Sequence, residues 1–362
     1  MSVVVAVVGA TGVVGREMLR TLAQRRFPAT RVIALASSRS VGTRLPYGDG
    51  EIVVAEATPE AFTGVDIALF SAGAAAAREL GPEAAKRGAV VIDNSSAWRM
   101  DPEVPLVVPE VNEAALASIP KGIIANPNCS TIQMVVALKP LHDAARLRHV
   151  VVSTYQAASG KGQAALAELE EQTRQIGAGE APSAKVFPGV LAMNVLMDWK
   201  TGENADWSEE ELKMVNETRK IFGDATIAVS PTTVRVPVRT GHAEAVWARF
   251  ARPLGAEEAK ALLRAAPGVT LIDGAYAPGK HPQPAEVAGT DDVFVGRVRE
   301  DLGEPGTLHL FVVADNLRKG AALNAVQIAE RLVLVLGPEG RERFRAESLP
   351  VDSEALERAL TE

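Results

Sequence analysis

Val3-Val4-Val5-Ala6-Val7-Val8-Gly9-Ala10-Thr11-Gly12-Val13-Val14-Gly15 opens the chain, and every later assignment leans on it. The apolar run from Val3 to Val8 is almost all valine, the signature of a strand buried on both faces of a parallel sheet. Glycines then recur at every third residue, and 16–25 carries helical spacing. Strand, glycine turn and helix in that order make a dinucleotide-binding turn. The glycines let the backbone approach a pyrophosphate whose charge sits on the helix N-terminus. Gly9, Thr11, Gly12, Val13 and Val14 are the expected contacts. The Gly-x-x-Gly-x-x-Gly spacing is a variant of the usual pattern, and a plain strand-to-helix turn is the alternative.

Working outward, a second strand is expected over 31–36, ending in Ser37-Ser38-Arg39-Ser40. No acid stands in 35–42 to hold a ribose 2′-hydroxyl, whereas Arg39 and its serine neighbours suit a 2′-phosphate, which favours NADP. A solvent-facing loop arginine is the other reading. Strands at 65–70 and 89–93, helices at 74–87 and 113–118, and the apolar run 122–125 continue the alternation. Repeated strand–helix units predict an α/β architecture whose N-terminal part is a Rossmann-like, doubly wound parallel sheet, with its ligand crevice at the carboxyl ends of the strands. The loop Asn94-Ser95-Ser96-Ala97-Trp98-Arg99 follows one such end. Beyond 149 the pattern changes. Strands are expected at 149–156, 226–229, 233–237, 243–250, 269–272, 292–299 and 309–314 with few helices between, hence a second, α+β domain with a mixed or antiparallel sheet. A strongly apolar helix at 320–336 is expected to return to the first domain, and 339–362 reads as a charged tail with a solvated acidic face.

Composition narrows the function. The 362 residues suffice for two domains, and 47% hydrophobic with 23% charged residues describes a globular protein. A net charge of -7 with no basic block argues against nucleic acid as a partner. No apolar run reaches the roughly 18–20 residues of a membrane span. The first residues lack the basic region of a signal peptide, and with one cysteine in the chain the expected compartment is a reducing cytoplasm. No internal repeat is present.

That cysteine lies in Asn126-Pro127-Asn128-Cys129-Ser130-Thr131, between the run at 122–125 and a helix expected from 131. It has no disulfide partner in the chain and no second thiol for a metal pair. A helix N-terminus favours thiolate over thiol, although position alone equally allows a buried structural cysteine. Two further residues could serve it. His242, in Arg235-Val236-Pro237-Val238-Arg239-Thr240-Gly241-His242, has glycine before it and alanine after it, so an unshielded ring titrating near working pH is expected. Gln156, at an expected strand end, could orient substrate or water by its amide. An ordinary polar histidine and a strand-edge glutamine are the alternatives. The histidines at 142, 149, 242, 281 and 309 show no ligand spacing, so no metal is expected, and Gly160-Lys161 lacks the rest of a phosphate loop. A thiolate beside a nicotinamide site points to one reaction class. The sulfur adds to an aldehyde, hydride leaves to NADP, and an acceptor takes the thioester; in reverse, an acyl phosphate acylates the cysteine.

These segments, together with Val108-Pro109-Glu110-Val111-Asn112, Pro127-Asn128-Cys129-Ser130-Thr131-Ile132-Gln133, Ser153-Thr154-Tyr155-Gln156 and Asp315-Asn316-Leu317-Arg318-Lys319-Gly320-Ala321-Ala322, resemble the aspartate-semialdehyde dehydrogenase family over nearly the whole chain. The resemblance implies Cys129 as the acyl-thioenzyme nucleophile, His242 as general acid/base and Gln156 beside the thioester. It implies Arg99 and Lys213 as the phosphate-binding pair, Arg235 and Glu210 as the grip on the amino acid's carboxylate and ammonium, and Asn128 among the substrate contacts. Glu210 and Lys213 lie three apart, a spacing that a solvated ion pair would share. Ser37, Ser38, Arg39, Ser40, Ser159, Gly160 and Asn316 join the glycine turn in holding NADP. The implied domains are 1–128 with 320–362 for NADP, and 129–319 for catalysis and dimerisation, in a homodimer or homotetramer. The implied reaction is NADPH-dependent reductive dephosphorylation of 4-phospho-L-aspartate to aspartate 4-semialdehyde and inorganic phosphate, serving lysine, methionine and threonine synthesis. The segment 184–194 departs from the resemblance, being shorter than in several relatives. An N-acetyl-glutamyl-phosphate reductase and a non-catalytic NADP-binding homologue share the fold and stay open as alternatives.

Overall fold

The computed structural model describes residues 3–346, with side-chain surroundings through 334, so the tail expected at 339–362 lies outside the described side chains. In chain order come β1 (Val3–Val8), α1 (Val13–Gln24), β2 (Ala29–Ala36), β3 (Arg44–Tyr47), β4 (Gly50–Val53), β5 (Ala55–Glu56), β6 (Ile67–Phe70), α2 (Ala74–Lys86), β7 (Val90–Asp93), α3 (Pro109–Asn112) and β8 (Ile123–Ala125). There follow α4 (Cys129–Ala145), β9 (Leu147–Gln156), α5 (Gln163–Gly177), α6 (Glu209–Phe222), β10 (Ala228–Arg235) and β11 (His242–Phe250). The series ends with α7 (Ala256–Ala265), β12 (Val269–Ile272), α8 (Pro284–Val287), β13 (Val293–Glu300), β14 (Thr307–Ala314) and α9 (Leu323–Ala346). Two compact units result. One is the chain to Pro127 resumed from Ala321, and the other is Asn128–Gly320.

In the first unit six parallel strands stand in the order β5-β2-β1-β6-β7-β8. The order reverses between β1 and β6, and a crevice opens at such a switch point. Gly9 sits there with φ 82, a conformation side chains resist. A Cβ on it would run into the Ser71 carbonyl just past β6. Helix α1 begins inside the glycine motif, three residues earlier than its spacing predicts. Gly15, lacking a Cβ that would strike the Gly9 carbonyl, lets the first turn form that close. Helix α9 closes this unit by packing Ala325, Val326, Ile328, Ala329 and Leu332 with Met18, Leu19 and Leu22 of α1 and with Val5, Leu69 and Ile92 of the sheet. Each large side chain so buried contributes about 1.5–3 kcal/mol. The hairpin of β3 and β4 was not expected from the sequence. It is short, contains Pro46, and has Leu45 as its one fully buried residue.

In the second unit the order is β10-β9-β11-β14-β13-β12, with the outer pairs parallel and the inner pairs antiparallel, which is a mixed sheet. The two strands expected at 226–229 and 233–237 are a single strand, β10. The expected gap at 230–232 closes because β10 is the sheet edge, where Pro231 is tolerated. Helix α4 is apolar on nearly all sides, as a helix buried on both faces must be. It lies against the inward sheet face formed by alternate residues of β9 and β11.

Candidate active site

Strand ends meet at one edge of the mixed sheet. β9 and β10 run parallel and finish there with Gln156 and Arg235 in register. β11 departs from that edge at His242, and β14 arrives at Ala314 opposite it, two residues before Asn316. Polar side chains therefore gather where the ladder stops, while Val150, Val152, Val246 and Ala248 fill the face behind them.

Cys129 is the first residue of α4, two earlier than expected, and is half-buried. Asn128 caps the helix, its Oδ1 accepting from the N–H groups of Ser130 at 3.0 Å and Thr131 at 3.3 Å. The Asn128 amide donates from Nδ2 to Glu210 Oε1 at 2.8 Å, and its backbone N–H donates to Glu217 Oε2 at 2.6 Å. Gln156 Nε2 donates to Ser130 Oγ, and to Glu210 Oε1 at 3.0 Å. Glu210 is buried, and its other oxygen lies 3.4 Å from Lys213 Nζ. The pair is thus no solvated surface couple, since the capping box of Ser208 and Glu211 starts α6 so that Glu210 faces the cysteine's cap. Glu217, missed in the sequence, sits two turns beyond Glu210 on the same helix face; its spacing of seven was the available signal.

Arg235 donates from Nη1 to the Ala157 carbonyl at 2.9 Å and from Nε to Asp198 Oδ1 at 3.2 Å, and its guanidinium stacks 4.7 Å from the Trp199 ring. Asp198 also accepts from Lys161 Nζ at 2.9 Å. Neither Asp198 nor Trp199 was foreseen, because the irregular segment that carries them shows no periodicity.

His242 departs from expectation. Its small neighbours suggested an open ring, yet it is 1% exposed. The wall comes from elsewhere: a Cβ on Gly160 would stand 3.1 Å from Arg235 Nη1 and 3.2 Å from His242 Nε2. Burial, and then the Arg235 charge, hold the imidazole's pKa well below its ordinary value, so the ring is uncharged at neutral pH and does not titrate near it. Nδ1 accepts from the Ala157 N–H at 3.0 Å, which leaves the ring's proton on Nε2.

Gln156 and Ala157 thereby link the two sides: Gln156 bonds the residue after Cys129, and Ala157 bonds His242. Gly320 backs the cysteine, since a Cβ there would come within 2.9 Å of Cys129 Cβ. Asn316 Oδ1 accepts from the Gly241 N–H at 2.8 Å, and Asn316 Nδ2 donates to Ser159 Oγ at 2.8 Å, so Ser159, Gly160 and Asn316 border the His242 loop.

The remaining expected residues belong to the first unit. Arg99 is nearly buried and donates to the carbonyls of Asn126 at 2.9 Å and Asn94 at 2.8 Å. Its loop is pinned by Asp93, which receives Ser95 Oγ at 2.6 Å and whose carboxyl pKa is raised by burial. Arg39 is exposed in the short turn Ser38–Ser40 after β2, and its guanidinium meets no acid among the described residues. Gly12 precedes helix α1, whose N-terminus has no side-chain cap and no acid in its first turn. A tight glycine turn and uncapped helix amides fit the pyrophosphate of a dinucleotide. Among the described residues no cluster of His, Cys, Asp or Glu suits a metal ion, and no helix is long and apolar enough to cross a membrane.

The chain is similar to known proteins along most of its length. Residues 4–119 match the family model of the semialdehyde dehydrogenase NAD binding domain, and residues 138–319 that of the semialdehyde dehydrogenase dimerisation domain. The aspartate-semialdehyde dehydrogenase of Aquifex aeolicus is 52% identical over 333 residues, 91% of this chain and 97% of that protein. A crystal structure of aspartate semialdehyde dehydrogenase II from Vibrio cholerae complexed with ASA superposes with TM-score 0.89 at 45% identity, covering 92% of this chain and 98% of that one. The Candida albicans aspartate semialdehyde dehydrogenase with NADP gives TM-score 0.71 at 27% identity, covering 92% and 98%.

Proposed function

The chain belongs to the aspartate-semialdehyde dehydrogenase family, oxidoreductases that act on an aldehyde group, and from that premise we propose how its residues divide the reaction. The observation that carries the proposal is the bracket formed by Gln156 and Ala157, one bonded beside Cys129 and the other to His242.

In the biosynthetic direction Cys129 Sγ attacks the acyl carbon of 4-phospho-L-aspartate. A carbon–sulfur bond forms, the carbon–oxygen bond to phosphate breaks, and the departing phosphate carries off the thiol proton. NADPH, when bound, supplies the hydride that reduces the resulting thioester. His242, neutral and with its proton on Nε2, donates a hydrogen bond to the carbonyl oxygen as that oxygen becomes anionic, and collapse to the aldehyde restores the thiol with one proton drawn from solvent. This narrows the general acid/base role implied by the sequence. Gln156 and Asn128 hold the cysteine's turn and Glu210 in place. Arg235 grips the substrate carboxylate and Glu210 its ammonium, while Arg99 and Lys213 take the phosphate. An N-acetylated substrate has no ammonium to pair with Glu210.

The glycine turn, with Ser37, Ser38, Ser40 and the unpaired Arg39, holds NADP in preference to NAD, and Ser159, Gly160 and Asn316 complete that site. The chain works as a homodimer or homotetramer through the outer face of the mixed sheet, where Val151 and Tyr155 are both 40% exposed. The test is phosphate-dependent NADP reduction with aspartate semialdehyde, run beside the Cys129→Ala protein and beside N-acetyl-glutamate semialdehyde. Activity with the first aldehyde alone, abolished in Cys129→Ala, is expected. Equal turnover of both aldehydes, or an active alanine variant, would overturn the assignment.

A further inference from the structure

Behind the site the inward sheet face continues in rungs. His242 stands opposite Ala314 in the first. The second sets Glu244 between Thr154 of β9 and Val312 of β14, and the third sets Val246 between Val152 and Leu310. Helix α4 covers this face, and Gln133, four residues after Cys129, lies one turn below it. Glu244 is 0% exposed and Gln133 1%. The two side chains face each other, yet no oxygen of Glu244 and no polar atom of Gln133 completes a hydrogen bond. Apolar residues fill the third rung alone, so packing by itself does not call for an acid and an amide in the second.

We propose that Glu244 and Gln133 are positioning residues for the aldehyde–thioester chemistry, a carboxyl–amide pair joining β11 to α4 that fixes His242, one rung above, against Cys129, one turn above. The proposal rests on the roles assigned to those two residues. Glu244 is flanked in register by Thr154 of β9 and Val312 of β14, and Gln133 of α4 faces it. No charged neighbour acts on it; burial keeps its carboxyl protonated well above the ordinary range, opposed only by Gln133. A protonated carboxyl and a primary amide each offer one donor and one acceptor in the same plane, so they can close two bonds at once. An amide at 244 would preserve that match, and a leucine would abolish it.

Three variants of the full chain, Glu244→Gln, Glu244→Leu and Gln133→Met, test this by two readouts: kinetics with aspartate semialdehyde and NADP, and the rate of Cys129 alkylation by iodoacetamide. Glu244→Leu and Gln133→Met are expected to lose about 10²-fold in kcat, the scale of an ångström-sized misplacement, with KM within about threefold. Their alkylation rates should differ from wild type by at least roughly fivefold. Glu244→Gln should rescue both readouts to within about threefold. The proposal is overturned if Glu244→Leu keeps wild-type kcat and alkylation, or if Glu244→Gln fails as badly as Glu244→Leu. It is equally overturned if neither apolar variant folds, since the pair is then a structural fixture. Alkylation needs no substrate, so those arms still decide the matter if wild-type enzyme does not turn over aspartate semialdehyde, a result that would instead remove the proposed reaction.

Discussion

Glu244→Gln should stabilise the protein, and by an amount that grows with pH. Burial raises the Glu244 carboxyl well above its usual pKa, and only Gln133 works against that shift. In the unfolded chain the same carboxyl titrates near about 4.3. Between the unfolded and folded values the native protein holds one proton more than the unfolded protein, so wild-type stability falls as pH rises, by ~1.4 kcal/mol per unit. The contribution is fully present below about pH 4.3 and is lost by the time the folded carboxyl ionises. Glutamine needs no proton and nearly matches the volume, so every other titrating group cancels between the two proteins. The stability gap should widen by ~1.4 kcal/mol per pH unit, or about 3–5 °C in Tm for a folding unit of this size, and level off where Glu244 ionises. Calorimetric scans of both proteins from about pH 5 to 8 at fixed ionic strength measure it. A gap that stays constant with pH, or narrows as pH rises, would refute the inference that this carboxyl is buried and protonated.

Removing His242 as alanine should lower kcat by about 10²–10⁴ with a smaller change in KM, and activity within about threefold of wild type would return it to a packing residue. Because burial and Arg235 depress its pKa, protonation of His242 should not cut kcat/KM until the pH is well below the ordinary imidazole value; an acid limb centred near about 6.5 and lost in His242→Ala would contradict this. Arg235→Lys gives up the Asp198 and Ala157 bonds that aim the guanidinium and should lose at least about tenfold in kcat/KM, or ~1.4 kcal/mol; a fully active lysine enzyme would show that no bidentate grip is made. Arg39→Ala should raise KM for NADP and leave NAD nearly unchanged, and a wild-type preference for NAD would defeat the inference from the missing acid.

Much of this protein was legible in its sequence because the signals were local. The valine run, the glycine turn and the helix after it specify one βα unit within fifteen residues, and each following unit repeats that logic in the first sheet. Cys129 stood out by being unique and by standing between an apolar run and an expected helix, and α4 begins there. Chain-local chemistry likewise named Gln156 and His242, and the family resemblance added Arg235; all three fall at strand termini, where side chains become available for function. What only the tertiary structure decided was the environment of each group. Glycine and alanine beside His242 implied an open ring, but exposure is set by whatever packs across space, here Gly160 and Arg235, with Ala157 choosing the tautomer. Two strands were expected at 226–229 and 233–237, and only the sheet order shows one edge strand, β10, running through Pro231. Asp198 and the Glu244–Gln133 pair carried no distinguishing sequence signal, and Glu217 carried only its spacing of seven from Glu210. A carboxylate's role depends on which donor faces it and on how much water it has lost, and both are properties of contacts between residues far apart in the chain.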